Sequence, residues 1–203
     1  MDVERIGKDI YLRDKELNNL DRLVLDFVHL IDFDYVIVSG YVAILFGRSR
    51  TTEDIDLFIK PRSEDEFCRF CERLKDSGFN LMNADDPVDA YDLLEEKASL
   101  RVMHGDSIFP NFELKLPSST IAKISMEEKI RVVLDESSLY ISPLELQIPY
   151  KLYLGSDKDF DDARHLYRFL KDYLDIDRFK YFLREMKINK GTVKRILGDD
   201  LEA

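Results

Sequence analysis

Two acidic residues interrupt an otherwise apolar segment of the chain. Asp54 and Asp56 lie in the segment DIDLFIK, where they alternate with Ile55 and Leu57. Side chains two residues apart on a strand point to the same face, about 6–7 Å apart along the strand. Two carboxylates on one face repel unless a cation lies between them, and Mg²⁺ prefers such oxygen ligands together with substrate phosphates. The pair therefore predicts a magnesium site suited to phosphoryl or nucleotidyl transfer, and the alternative is an edge strand whose acidic face is solvated.

A turn upstream of the acids could hold the phosphates. Ser39 and Gly40 lie between a predicted strand and a predicted helix, where glycine lets a phosphate approach the backbone and serine offers a hydroxyl. Arg48, Arg50 and Thr52 follow, and an arginine there could neutralise a triphosphate. We expect Arg50 to be the functional arginine because it stands closer to the acids in sequence; both arginines are equally compatible with an ordinary surface.

The elements that position these residues follow from hydrophobic spacing. Apolar residues at helical spacing predict a helix over 15–31, and β-branched runs predict strands over 35–40 and 54–60. Alternating segments at 99–105 and 111–117 and a hairpin over 130–142 predict further strands, whereas the chain after Ser142 is helical in pattern. SPLE at 142–145 matches a capping box. The sequence thus predicts an α+β domain over residues 1–141, followed by a helical domain over 142–203.

Composition excludes several classes of protein. The chain has 203 residues, of which 45% are hydrophobic, and a formal net charge of −11, which disfavours binding of bulk duplex DNA but leaves room for a local basic patch. It has no apolar run of membrane-spanning length and no apolar signal core, so we expect a cytoplasmic protein. Cys68 and Cys71 lack the further ligands of a zinc site and are expected to be ordinary thiols of a helix.

The order of the motifs resembles the signature of the DNA polymerase β-like nucleotidyltransferase superfamily. VSG, thirteen residues and DIDL follow its pattern of an apolar residue, a glycine/serine pair, a spacer, and alternating acidic and apolar residues. GRSRTTEDIDLFI and the later SPLELQIPYKLYLGSDKDFDDA are similar to abortive-infection (AbiEii-type) toxins and related small prokaryotic members. The similarity covers roughly residues 35–170. It implies a nucleotidyltransferase fold with a mixed sheet flanked by helices.

The resemblance also implies roles for residues outside the two motifs. A third carboxylate is expected on a later strand, with Glu113 as the first candidate and Asp106 as the alternative. In such a triad Asp54 and Asp56 hold two metal ions, while Glu113 holds the catalytic ion and helps to deprotonate the acceptor hydroxyl. Lys151 is implied to face the triphosphate.

Simpler explanations exist for these later residues. Asp159 and Asp162 are implied to orient Lys151 or to line the cleft, but acids are also favoured in a first helical turn. Lys151 could extend its stem along a helix surface, and Glu113 could pair with Lys115 on an exposed strand.

Together the motifs predict an enzyme. It would be a Mg²⁺-dependent nucleotidyltransferase, with Mn²⁺ as a possible substitute and two ions in the site, moving a nucleoside monophosphate from an NTP such as ATP to a hydroxyl. The acceptor would be a protein, a tRNA 3′ end or a small molecule, and a toxin–antitoxin role is one version. The alternative is a nucleotide-binding regulatory or antitoxin-type module with weak or no transfer, because the superfamily usually has Gly-Gly or Gly-Ser where this chain has Ser39-Gly40.

Overall fold

A mixed β-sheet runs through the part of the chain that the computed structural model describes, residues 2–198. Its nine strands are β1 (Asp2–Ile6), β2 (Asp9–Arg13), β3 (Asp34–Val38), β4 (Asp54–Lys60), β5 (Phe79–Leu81), β6 (Leu100–His104), β7 (Ser107–Lys115), β8 (Ile130–Leu134) and β9 (Ser137–Ile141). They lie in the order β1-β2-β8-β9-β3-β4-β7-β6-β5. The predicted α+β class is confirmed.

Helices flank this sheet. Those in the described residues are α1 (Asn19–His29), α2 (Gly40–Leu45), α3 (Glu64–Asp76), α4 (Pro87–Glu95), α5 (Thr120–Glu127), α6 (Leu144–Leu154), α7 (Asp157–Leu170), α8 (Ile176–Glu185) and α9 (Lys190–Leu197), with a short 3-10 turn at Lys171–Tyr173. None of these helices is long and apolar enough to cross a membrane. Cys68 and Cys71 lie in the middle of α3 as free thiols, as the sequence predicts.

The centre of the sheet places the acidic segment. β4 pairs antiparallel with β3 and parallel with β7. Along β4, Ile55, Leu57 and Ile59 are buried, whereas Asp54 and Asp56 lie on the opposite face and stay partly accessible. The predicted alternation is therefore confirmed, but the strand is central, so the edge-strand alternative is wrong.

The apolar face of the central strands is anchored by aromatic rings. Phe112 of β7 stacks on Phe27 of α1 with the ring centroids 3.8 Å apart, and Phe70 and Phe79 meet Phe27 edge-on. Each of these rings is buried. Truncating such a ring typically costs about 3–5 kcal/mol, so this cluster fixes the strands whose other face carries the acids.

The start of α6 differs from the sequence prediction. Pro143 occupies the N-cap position without a side-chain cap, and Ser142 instead hydrogen-bonds Ser125, 3.1 Å between hydroxyl oxygens. Glu145 is buried and accepts hydrogen bonds from Arg5 at 2.6 Å and from the Asp175 backbone at 2.9 Å. The predicted capping box is wrong, because the side chains of Ser142 and Glu145 hydrogen-bond other elements instead of the start of α6.

Candidate functional site

Three carboxylates converge where β4 and β7 lie side by side. The parallel register puts Asp56 directly opposite Glu113 and Asp54 opposite Asn111. One oxygen from each of Asp54, Asp56 and Glu113 lies within 4.8 Å of the others. The alternative third acid, Asp106, is exposed in the turn between β6 and β7 and lies outside this cluster. The structure thus assembles the three acids named from the sequence.

Crowding of negative charge changes how Asp56 titrates. Burial, and then the neighbouring charge of Asp54, raises the pKa of Asp56 to about 6. The Lys115 ammonium and a hydrogen bond from the Ser39 side chain act in the opposite direction without cancelling the rise. A raised carboxyl pKa means that the charged form is under-compensated, so the cluster gains from an added cation.

Lys115 is the cation that touches the cluster. Its Nζ lies 3.1 Å from Glu113 Oε1 and 4.0 Å from Asp56 Oδ1, and its side chain is 39% exposed. Burial alone would raise the pKa of Glu113, but hydrogen bonds from Ser99 and Lys115 outweigh it, and the pKa lies below its ordinary value. Glu113 is therefore ionised, and a mobile ammonium partly balances it.

Asn111 adds an unsatisfied oxygen to the same face. It is 5% exposed, stands two residues before Glu113, and lies opposite Asp54. Its Nδ2 donates to the Glu53 carbonyl at 3.1 Å, which fixes the orientation of the amide. Its Oδ1 is buried without a hydrogen-bond partner among the described residues. A buried orphan acceptor is costly, and its position beside the acids suits a cation-bound water or a ligand hydroxyl.

The donor set fits a hard divalent cation. Three carboxylates and an amide on one face are oxygen ligands of the kind that Mg²⁺ and Mn²⁺ prefer. The under-compensated charge of Asp56 points the same way. Asp54, Asp56 and Glu113 could therefore hold a metal ion.

The turn after β3 lies against the acids. Ser39 has φ 64° and ψ −131°, a conformation that favours glycine. Its carbonyl accepts a hydrogen bond from Nε2 of the buried Gln147 at 2.8 Å, and its side chain hydrogen-bonds Asp56. Serine is therefore held in the strained conformation by α6, and its hydroxyl contacts an acid of the cluster.

Arg50 covers the glycine of this turn. A Cβ at Gly40 would come within 3.1 Å of Arg50 Nη2, so a larger residue there would require the guanidinium to shift by a few tenths of an ångström. The side chain of Arg50 is 9% exposed, and its Nη1 donates to Asp162 at 2.8 Å. Burial and then Arg48 lower the pKa of Arg50, while Asp54 acts in the opposite direction. The guanidinium thus lies against the turn and pairs with Asp162, and a phosphate-binding role for Arg50 stays a prediction.

Thr52 has a different position from the one expected of a ligand-binding residue. Its Oγ1 donates to the backbone carbonyl of Asp54 at 2.8 Å. The hydroxyl therefore holds the backbone at Asp54, the first residue of β4.

Lys151 is buried in an ion-pair network. Its side chain is 2% exposed, and its Nζ lies 2.8 Å from Asp159 and 3.0 Å from Asp162. Burial lowers the pKa of Lys151, and the hydrogen bond that its ammonium donates to Asp159 opposes the change. The implied contacts of Lys151 with both acids are present. Its ammonium, however, is enclosed by them.

Asp162 is the centre of this network. It is fully buried and pairs with Arg48, with Arg50 and with Lys151. Asp159 pairs with Lys151 and Asp161 with Arg48, so among the described residues Arg50 is the cation of this network that pairs with the carboxylate of Asp162 alone.

Two solved structures have folds similar to that of this chain. The structure resembles that of an antigenic nucleotidyltransferase-like protein from Paracoccidioides brasiliensis, with a TM-score of 0.51, 13% sequence identity, and coverage of 90% of this chain and 94% of that one. It also resembles the antibiotic-resistance factor ANT(2'')-Ia, with a TM-score of 0.51, 14% identity, and coverage of 86% and 94%. The chain thus has a nucleotidyltransferase-like fold, a mixed sheet flanked by helices. No protein-family model matches the chain, and a sequence comparison with curated proteins finds no match.

The fold places the predicted residues in two neighbouring groups. The first comprises the acids of β4 and β7, and the second comprises Arg50, Lys151 and the acids of α7. Sequence reasoning missed Asn111 and Gln147. Asn111 could have been found because it alternates with Glu113 on one strand, whereas no sequence signal marks Gln147.

Proposed function

We propose that the protein is a Mg²⁺-dependent nucleotidyltransferase that moves a nucleoside monophosphate from an NTP to a hydroxyl acceptor. The observation that carries the proposal is the convergence of Asp54, Asp56 and Glu113 within 4.8 Å on one face of adjacent strands. The fold and the arginine-covered turn beside the acids support it. Bound Mg²⁺ or Mn²⁺ would supply charge neutralisation at the transferred phosphate and an activated acceptor oxygen.

The positive groups would hold the triphosphate. Arg50 lies against Gly40 and pairs with Asp162, so its guanidinium could meet phosphate oxygens held at the turn. Lys151 would contribute indirectly. It shares the carboxylate of Asp162 with Arg50, so that carboxylate would not neutralise Arg50 completely. Such catalysis is mostly positioning and electrostatics.

The acids would divide their work. Asp54 and Asp56 point from one strand and would bind the metal, with the charged form of Asp56 restored when a cation compensates it. Glu113 is the acid already held in its ionised form, so it can accept the proton of the acceptor hydroxyl. Lys115 must leave Glu113 for this to occur.

An assay of label transfer tests the proposal. Purified protein is incubated with each α-labelled NTP, with Mg²⁺ or Mn²⁺, and with RNA, protein or small-molecule acceptors. We expect transfer that Asp54→Asn and Asp56→Asn abolish, while Asp106→Asn, a matched acid outside the cluster, retains it. No labelling together with no calorimetric binding of NTP would overturn the proposal.

The second candidate is a nucleotide-binding regulatory or antitoxin-type module. The contact of Lys115 with Glu113 and the strained Ser39 in place of glycine favour it. It predicts NTP binding that depends on Arg50, with no transfer of label to any acceptor.

A toxin role and the division of the chain are extensions of the same proposal. We propose a cytoplasmic enzyme whose expression arrests growth and whose Asp54→Asn variant does not. We also propose a transferase domain over 1–141 and a helical domain over 142–203 that supplies Lys151. The last described strand ends at Ile141, and helices follow it up to residue 198.

A further inference from the structure

A basic groove lies beside the candidate active site, along one side of α7. Its volume is about 440 Å³, and it is lined by Arg48, Asp161, Arg164, His165, Arg168 and Phe169. The α7 residues are three or four apart, so they share one face of the helix. A protein with a net charge of −11 thus gathers three arginines and a histidine around one carboxylate.

The positive charge of the groove exceeds what its acid can neutralise. Asp161 accepts from Arg164 at 2.7 Å through one oxygen and pairs with Arg48 at 3.5 Å through the other. Arg168 is exposed one helical turn beyond Arg164, in the last turn of α7, where the helix dipole favours a cation. Asp161 pairs with Arg164 and Arg48, so Arg168 could meet an anionic ligand.

A flat aromatic surface accompanies the charges. The rings of His165 and Phe169 are nearly parallel, with an interplanar angle of 12° and centroids 6.1 Å apart, and Phe169 is 37% exposed. His165 Nε2 lies 3.0 Å from the Phe46 carbonyl, which can only accept, so Nε2 carries the proton. Arginines beside an exposed aromatic ring form the combination that binds phosphates and stacks an unpaired base.

Arg48 links the groove to the site of transfer. It shares the buried carboxylate of Asp162 with Arg50, whose guanidinium covers Gly40 beside the acids. The groove has the volume of a site for a small ligand rather than for a duplex. A flexible strand could therefore lie in the groove, which the shared Asp162 connects to Arg50.

We propose that this groove binds the phosphodiester backbone of a single-stranded nucleic acid, with one base stacked on Phe169. Its role as acceptor rests on the proposed nucleotidyl transfer. The terminal hydroxyl of the strand forms a bond to the α-phosphorus of the NTP, its proton passes to Glu113, and the bond to the β-phosphate breaks to release pyrophosphate.

Fluorescence anisotropy of a short labelled oligouridylate, measured in EDTA so that no turnover occurs, tests binding to the groove. We expect a plot of the logarithm of the association constant against the logarithm of the salt concentration to have a slope of about −2. Each of three phosphate contacts on a single strand contributes about −0.7 to that slope. The double variant Arg164→Gln/Arg168→Gln should bind at least tenfold more weakly. Its slope should be about −0.7, because one of the three phosphate contacts remains. Its matched control is Arg22→Gln/Arg69→Gln, which removes the same charge from exposed positions of α1 and α3.

Further arms separate the possible ligands and the two proposals. Phe169→Ala should weaken the oligouridylate about tenfold but leave tripolyphosphate binding unchanged, and an oligodeoxyuridylate tests whether the strand must be RNA. Asp54→Asn should bind as the wild type does, so loss of transfer leaves the groove proposal standing. Equal affinities for the groove variant and its control would overturn it, as would tripolyphosphate that competes as well as unlabelled oligonucleotide.

Discussion

Replacing Lys115 by methionine should tighten metal binding. The Nζ of Lys115 lies 3.1 Å from Glu113 and 4.0 Å from Asp56, where a divalent ion would bind the same oxygens. A cation entering the cluster must therefore displace the ammonium or tolerate its repulsion. Methionine keeps an unbranched stem of similar length and removes the charge.

The distances set the size of the effect. At a water-like dielectric constant of about 80, unit charges at these separations attract by about 1.3 and about 1 kcal/mol. Losing both contacts would correspond to a ceiling of about fifty-fold in affinity, since about 1.4 kcal/mol is tenfold. The side chain is 39% exposed and regains water and rotamer freedom when it leaves. We therefore expect binding between about five and about fifty times tighter.

Mn²⁺ binding to nucleotide-free protein, followed by calorimetry and by electron paramagnetic resonance, gives this affinity directly. Lys123→Met on α5 is the matched control, because it removes the same charge from an exposed position. In EDTA, Lys115→Met should also melt below the wild type, and a saturating metal concentration should reverse that order. Unchanged or weaker Mn²⁺ binding in Lys115→Met would refute competition between the ammonium and the metal.

Three further variants test the electrostatics and the backbone of the site. Because the pKa of Asp56 is raised to about 6, the folded protein keeps a proton that the unfolded chain releases near 3.8. In EDTA the contribution of Asp56 to stability should therefore fall as the pH rises from about 4 to about 6, while the lowered pKa of Glu113 acts in the opposite direction. Denaturation should accordingly find Asp56→Asn more stable than the wild type by on the order of 2–3 kcal/mol at about pH 7.5 and equal to it at about pH 4. In urea denaturation, the free energy of unfolding of Ser39→Gly should exceed that of Ser39→Ala by about 1 kcal/mol. Both variants lose the hydroxyl, but only glycine suits the observed φ of 64°. Equal free energies would show that the turn is unstrained. Asp162→Asn should cost about 3–5 kcal/mol because it strips a buried partner from three cations, whereas the exposed Asp161→Asn should stay within about 0.5 kcal/mol; similar losses would contradict the central role of Asp162.

The acidic cluster was accessible to sequence reasoning because period-two alternation is a local signal. Asp54 and Asp56 alternate with buried residues, and Glu113 lies between Phe112 and Leu114 in the same way. That the two strands are neighbours in parallel register is a property of the whole sheet, and it entered only through the resemblance. The N-terminal hairpin of β1 and β2 escaped notice since its charged residues conceal the alternation.

The surroundings of the site depended on contacts between residues far apart in sequence. Gln147 holds the carbonyl of Ser39 from α6, and Asp162 of α7 gathers Arg48 and Arg50 from the loop after α2. Each is an unremarkable polar residue of a helix until the helix is packed. The burial of Lys151 likewise follows from tertiary packing and from no local pattern.

The shared carboxylate of Asp162 makes the two anion sites thermodynamically dependent on each other. A phosphate that draws Arg50 toward the acids leaves Asp162 with fewer partners, so its charge holds Arg48 more firmly and away from the groove. A strand that engages Arg48 would, in turn, strengthen the hold of Asp162 on Arg50. Because linkage is reciprocal, nucleotide and strand would lower each other's affinity by the same factor.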